Sequence, residues 1–490
     1  MEPTSTAVVL TIVGLLLLSS VVAVRLTGRS GIPAVLVFLV LGMLAGEDGI
    51  GGLAFDDYGL AFRAGTVALT FILFDGGLNL SLPAARRALA PAVALATVGV
   101  VATAAIVAWC AWWLGLDPVR AMLIGAVVSS TDAAAVFATL RSTGLRLSER
   151  VSAILEVESG TNDPMAVILT TLLTGAAFAH AGPLTGWHVA LDAGTQIAIG
   201  LAAGVAFGFG AARLMARMRL PAGGLYPVLS VAIALLAFGL PTLAHGSGFL
   251  AVYIAGVIIG NAEFPYRSGL LRVHDALAWL SQVAMFLLLG LLVHPPRLLG
   301  VAPVGFALAL VLAFVARPVV VAACLAPFRL PFREIAYIAW TGLRGAVPIV
   351  LATYPVLVAG REALTVFDVV FFIVVVNAIL PGSTLVAFTR WIGFSSEAPP
   401  QPRAVLEVTS LEPLHGRLLS FHVSPALAVA GAQLSDLPFP EGTSVTLIVR
   451  GRELVAPKGT TVIEPDDHVY VVCRAEHEDL VRLLFGRPEE

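Results

Sequence analysis

The sequence predicts an all-α polytopic membrane domain of 13 transmembrane helices, followed by a small α+β soluble domain. Three observations predict it. Of 490 residues, 58% are hydrophobic and only 12% are charged, about half of the ~25% that a soluble globular surface carries. The charge is segregated: residues 397–490 hold 8 of the 29 Lys and Arg and 14 of the 32 Asp and Glu. Ahead of that tail, apolar runs that approach the ~20 residues a bilayer core requires recur 13 times. Soluble enzymes, nucleic-acid binders and disordered chains are excluded on composition. A net charge of only -3 gives no ground for a polyanionic partner, so no nucleic acid is expected.

The apolar runs lie near 6–24, 32–46, 62–82, 90–115, 119–140, 151–175, 187–212, 225–243, 247–261, 275–293, 300–326, 334–358 and 365–391. Met1-Glu2-Pro3-Thr4 lacks the basic region of a signal peptide, so the first run reads as a span. With the N-terminus outside, the inner connections hold 15 Arg and the outer ones 4, as the positive-inside rule requires. An odd number of spans then places the tail in the cytoplasm. Residues 1–394 form the membrane domain, the Pro-rich stretch 395–402 a linker, and 403–487 the soluble domain, where alternation in Val445 to Val449 and His468 to Val472 predicts strands. Cys110, Cys324 and Cys473 are far apart and read as reduced structural residues. His180, His245, His274 and His294 read as loop residues.

An ionisable side chain in the hydrocarbon region is costly and marks an ion path or a paired structural site. Seven fall there: Asp75, Asp132, Glu156, Glu158, Asp163, Arg317 and Arg344. The fifth span contains Ser129-Ser130-Thr131-Asp132, four consecutive polar residues that predict a helix break facing a cavity; a helix cap at a span end is the plainer alternative. The sixth span reads Glu156-Val157-Glu158-Ser159-Gly160-Thr161-Asn162-Asp163-Pro164. Ser159 with Asp163, and Glu158 with Asn162, are i, i+4 pairs, while Pro164 frees the Gly160 carbonyl. That density of oxygens suits a hard cation. The twelfth span, Thr341-Gly342-Leu343-Arg344-Gly345-Ala346-Val347-Pro348, predicts a second break. Fifth and twelfth spans are seven apart and run in opposite directions, the layout of crossed broken helices in inverted repeats, which secondary transporters use for midplane ion sites. Arg344 needs a counter-ion, for which Glu158 is the candidate. Asp75 and Arg317 are left over as accessory charges that could pair with each other.

Together, Glu158-Ser159-Gly160-Thr161-Asn162-Asp163, Thr131-Asp132 and Gly342-Leu343-Arg344-Gly345 resemble the monovalent cation:proton antiporter family of sodium/proton exchangers. The likeness covers about residues 5–393. Asn162-Asp163 is similar to the Asn-Asp pair of the electroneutral branch. The resemblance implies that Asp163 binds the cation or the proton, that Asp132, Thr131 and Ser159 add ligands, and that a Glu158–Arg344 ion pair holds Asn162. It also implies a homodimer working as an elevator. The tail resembles a TrkA C-terminal (RCK-C) domain through Gly431 to Leu437, Val445 to Gly451, Pro457-Lys458-Gly459 and Pro465 to Val471. This domain association resembles the bacterial potassium/proton antiporters, though those often continue into a further C-terminal domain.

The resulting expectation is an electroneutral antiporter in the bacterial inner membrane, not an enzyme. It would exchange K⁺ in preference to Na⁺ for H⁺, with a monovalent cation at Asp163 and Asp132 and gating by the RCK-C domain. The alternatives are a Na⁺(Li⁺)/H⁺ antiporter or a ligand-gated cation channel. No cofactor is expected; a nucleotide-type small molecule is the candidate effector at residues 403–487, and the lipid bilayer is the remaining partner.

Overall fold

A helix that is apolar on every side must lie against lipid or against other helices, and the chain up to residue 394 is built of such helices. The computed structural model describes residues 2–27, 33–143, 145–178, 186–218, 220–394, 396–397, 406 and 416–486. Most of the linker at 395–402, most of 403–415 and His180 lie outside the described residues.

The first helices are α1 (Glu2–Thr27), α2 (Ala34–Ala45) and α3 (Tyr58–Asn79). Then α4 (Leu82–Ala94) and α5 (Val100–Trp113) form one run through a π turn at Leu95–Gly99. Next, α6 (Pro118–Val127) and α7 (Ala133–Ser142) are the two halves of one broken helix. They are followed by α8 (Glu149–Phe178), α9 (Gly186–Arg217), α10 (Leu225–Leu243), α11 (Gly248–Gly260) and α12 (Arg267–Leu291). A second π turn, Leu312–Ala316, joins α13 (Pro295–Val311) to α14 (Arg317–Leu325). The second broken helix is α15 (Phe332–Trp340) with α16 (Ala346–Ala359), and α17 (Leu364–Ile392) closes the series.

Among the described residues, eight helical stretches are long and apolar enough to cross a membrane, and α2, α6 and α11 are apolar but shorter. The 30-residue α8 carries the polar run from Glu156 to Asp163. The result is a mostly helical membrane domain. α1 shows what lipid-facing sequence looks like: Val8, Leu10, Leu15, Leu18 and Val21 are all exposed. Where helices meet, small residues let backbones touch. A Cβ added to Gly77 on α3 would lie 2.5 Å from the Tyr253 carbonyl oxygen of α11, and one on Gly256 would lie 2.6 Å from that of Phe74.

The chain divides into two units: 1–217, 224–263 and 270–396 form one; 218–223, 264–269 and 397–490 form the other. In the tail, strands at Arg417–His422, Ser444–Arg450, Glu453–Val455 and His468–Cys473 make one antiparallel sheet, ordered first, fourth, second, third. The expected strands at 445–449 and 468–472 are thus present. Of the two inner strands, His468–Cys473 is buried nearly throughout. Arg450 grips the fully buried Asp467 carboxylate with two bonds of 2.9 and 2.8 Å, which closes the turn ahead of that strand. Helix α18 (Glu478–Phe485) covers the sheet with Val481 and Phe485, the latter stacked on Phe421.

Candidate functional site

Breaking a helix in an apolar interior strands backbone groups that need partners, and each broken helix supplies the other with one. The Asp132 N–H donates to the Leu343 carbonyl at 2.8 Å, tying the break at 128–132 to that at 341–345. Asp132 also caps α7, its Oδ1 accepting from the Ala135 N–H at 3.1 Å. A carboxylate at a helix N-terminus opposes the positive end of the helix dipole, as an arginine near the C-terminus of α15 opposes the negative end. Gly345 leaves room for this carboxylate: an added Cβ would lie 2.0 Å from Asp132 Oδ2 and would displace it.

The middle of α8 packs against these breaks and stays helical through Pro164. Ser159 Oγ accepts from the Ala133 N–H and donates to the Thr131 carbonyl, both at 3.1 Å. Asn162 Nδ2 donates to Thr131 Oγ1 at 2.6 Å. Asp163 is buried, and Asp132 and Arg344 are among the charges it feels. Its Oδ1 and Asn162 Oδ1 have no hydrogen-bond partner, while the Ser130 hydroxyl lies against the Asp163 carboxylate. Hence Asp163, Asp132, Asn162, Ser159 and Thr131 converge. Thr131 and Ser159 spend their polar atoms bracing the first break, whereas Asp163 and Asn162 each keep an oxygen uncommitted.

The partner of Glu158 differs from the one expected. Arg317, not Arg344, binds it, with Nη1 on Oε1 at 2.5 Å and Nη2 on Oε2 at 2.9 Å. Both side chains are essentially buried, at 5% and 1% exposure. The expected Arg317–Asp75 contact is likewise replaced; Asp75 Oδ1 accepts from Asn79 Nδ2 on its own helix. Arg317 crosses the second break, where a Cβ on Gly342 would meet its Nε at 2.7 Å. Arg344 donates Nη1 to the Gly342 carbonyl at 3.0 Å, while its Nε and Nη2 have no partner. Nor does Arg344 donate to Asn162, whose amide is held by Thr131.

One histidine departs from the loop reading, and a second is in a loop but held by partners. His274 lies on α12, fully buried, its Nε2 2.6 Å from Ser230 Oγ. Since Ser230 donates its hydroxyl proton to the Pro227 carbonyl, His274 is the donor of that bond. His294 does sit in a connection, ahead of α13, but is clamped: Nδ1 lies 2.9 Å from Asp48 and Nε2 3.2 Å from Asp56. Glu47, Asp56 and His294 bring ligand atoms within 4.8 Å of one another, and the imidazole bonds Asp56 and Asp48 of this acidic group. Burial disfavours the charged His294, yet the bonds to Asp48 and Asp56 outweigh both burial and the nearby Arg297, holding its pKa above the ordinary value. A group with a raised folded-state pKa stabilises the fold below its unfolded pKa, and that contribution is lost as pH rises through the folded pKa. His294→Gln should therefore lower the thermal midpoint at about pH 5.5, below the ordinary histidine pKa of about 6.5, and matter little at about pH 9. An equal loss at both pH values would assign the effect to packing.

Comparison with known proteins agrees with this architecture. The family model described as the transmembrane sodium/hydrogen exchanger matches residues 13–391, and the TrkA-C domain model matches 418–486. A K(+)/H(+) antiporter NhaP of Alkalimonas amylolytica is 40% identical over 481 residues, covering 96% of this chain and 82% of the relative. A K(+)/H(+) antiporter NhaP2 of Shewanella oneidensis is 37% identical with the same coverages. A Na(+)/H(+) antiporter ApNhaP of Aphanothece halophytica is 26% identical, covering 81% and 77%. The sodium proton antiporter MjNhaP1 of Methanocaldococcus jannaschii shares the fold, with a TM-score of 0.69, 23% identity and coverage of 80% of this chain and 100% of that one.

Proposed function

Because the chain belongs to the sodium/hydrogen exchanger family and carries a TrkA-C domain, we propose that it exchanges K⁺, in preference to Na⁺, for H⁺ at Asp163, without net charge movement. The observation that carries this reading is the buried, uncommitted Asp163 Oδ1 between two helix breaks. A bare carboxylate removed from water is expensive, so the site holds either a proton or a cation when it moves. Asp132 has one oxygen engaged as a helix cap, which leaves Asp163 as the group that trades. Asn162 beside it is neutral, so one proton is exchanged for one monovalent cation. Asn162 Oδ1, uncommitted at the same place, and Ser130 Oγ beside the carboxylate are further oxygens for the cation, and Thr131 and Ser159 keep the first break in shape to present them. The preference for K⁺ is supported by relatives of 37–40% identity that are K(+)/H(+) antiporters.

In this reading all thirteen segments cross a bacterial inner membrane, with the N-terminus outside and the tail in the cytoplasm. Two copies associate, the α6–α8 and α15–α16 assembly carries the site across as an elevator, and the TrkA-C domain gates it in response to a nucleotide-type ligand. The test is proton efflux from proteoliposomes acidified inside, with K⁺, Na⁺, Li⁺ or choline added outside. A K⁺ response that exceeds Na⁺ is expected. A response to Na⁺ or Li⁺ alone would keep the exchange and overturn the potassium preference, as the 26% identical Na(+)/H(+) relative would then suggest. Dissipation of the cation gradient without proton movement would replace the antiporter by a channel.

A further inference from the structure

A threonine in a membrane helix ordinarily gives its hydroxyl proton to a carbonyl one turn back. Thr66, Thr70, Thr161 and Thr171 do so, with bonds of 2.5 to 3.0 Å. Two threonines of α8 do not. Thr170 and Thr174 are fully buried, and neither hydroxyl has a partner. They are i+7 and i+11 from Asp163, so at 3.6 residues per turn all three lie on one strip of α8. Ala166, on the same strip between Asp163 and Thr170, belongs to the apolar cluster that includes Val127 of α6 and Val350 of α16. An unpartnered hydroxyl in such surroundings costs free energy. Two of them, aligned with a carboxylate whose oxygen is equally uncommitted, make a row that ends one turn before the C-terminus of α8.

We propose that Thr170 and Thr174 line the path of the hydrated cation between Asp163 and the membrane face at the C-terminal end of α8, a path that opens when this strip of α8 is uncovered. This inference rests on Asp163 as the cation site. When the strip is wetted, the hydroxyls exchange water for cation oxygen contacts one turn apart. When it is closed they are dry, which keeps the site sealed from that face.

The experiment uses the full chain in liposomes, with Cys110, Cys324 and Cys473 replaced by Ser. Thr170→Cys and Thr174→Cys are each exposed to a membrane-impermeant cationic methanethiosulfonate, with Thr171→Cys as the reference from the neighbouring strip. Labelling of both at least tenfold faster than Thr171→Cys, and slowed by saturating K⁺ or Na⁺, is expected. Labelling no faster than the reference overturns the proposal. In parallel, the Thr170→Val/Thr174→Val double variant should raise the apparent KM for the cation several-fold while its thermal midpoint holds or rises. A lowered midpoint with unchanged KM would make the hydroxyls structural and overturn it equally. Exchange that survives in Asp163→Asn would instead bring down the underlying site assignment, so the two failures are separable.

Discussion

Proteoliposomes carrying Asp163→Asn should show no cation-driven proton movement above protein-free liposomes, while the purified variant melts at or above the wild-type temperature. The two halves of this expectation have one cause. Asp163 is buried and its Oδ1 makes no hydrogen bond, so an amide in its place breaks no contact made by that atom. It also removes a charge whose burial is unfavourable by several kcal/mol. The amide neither takes up a proton in this pH range nor compensates a cation's charge, so the exchanged species has no carrier. Surviving exchange would release Asp163 from the role; a large loss of stability would show that it has a structural partner.

Arg317→Ala should be the most destabilising single substitution in the membrane domain, by about 3–5 kcal/mol, because it leaves the Glu158 carboxylate buried and unpaired. Glu158 is 1% exposed and receives both of its charged hydrogen bonds from Arg317. The double variant Glu158→Gln/Arg317→Met should recover much of the loss, since a neutral, well-packed pair needs no counter-charge. Arg344→Ala should lower the melting temperature much less, as it costs one bond to the Gly342 carbonyl and leaves the Glu158 pair whole. Its effect should fall on exchange, because Arg344 lies in the field of Asp163. Thermal unfolding of the three variants in detergent decides the matter: equal losses for Arg317→Ala and Arg344→Ala would mean that both arginines hold Glu158.

The contrast between these two arginines marks where the sequence was legible. Ser129 to Asp132, and the glycines around Arg344, interrupt apolar helices so sharply that both breaks could be read directly, and they lie at 128–132 and 341–345. Asp163 was equally plain, being an acid enclosed by apolar residues. Which arginine meets Glu158 was not, and the reason is geometric. Arg317 follows the π turn at Leu312–Ala316. One extra residue in a turn rotates everything after it by about 100° relative to a regular helix. Nothing in Leu-Ala-Phe-Val-Ala announces that rotation, so helical phasing could not aim the guanidinium. The Asp48–His294–Asp56 clamp joins residues more than two hundred positions apart and left no local pattern. Thr170 and Thr174 were silent because threonine in a membrane helix normally satisfies itself.

The bond between Asp132 and Leu343 also has a consequence for how the chain is made. The first break leaves the ribosome with its backbone group unanswered, and the carbonyl that completes it belongs to residue 343. At about 5–20 residues per second, that wait is on the order of 10–40 s, spent beside or within a bilayer that offers no substitute partner. Until then Ser159, only a few tens of residues downstream, is the group that can brace the opened backbone, through its bonds to Ala133 and Thr131. The nascent first half thus has its own serine to hold it before the second half arrives to add the Leu343 carbonyl.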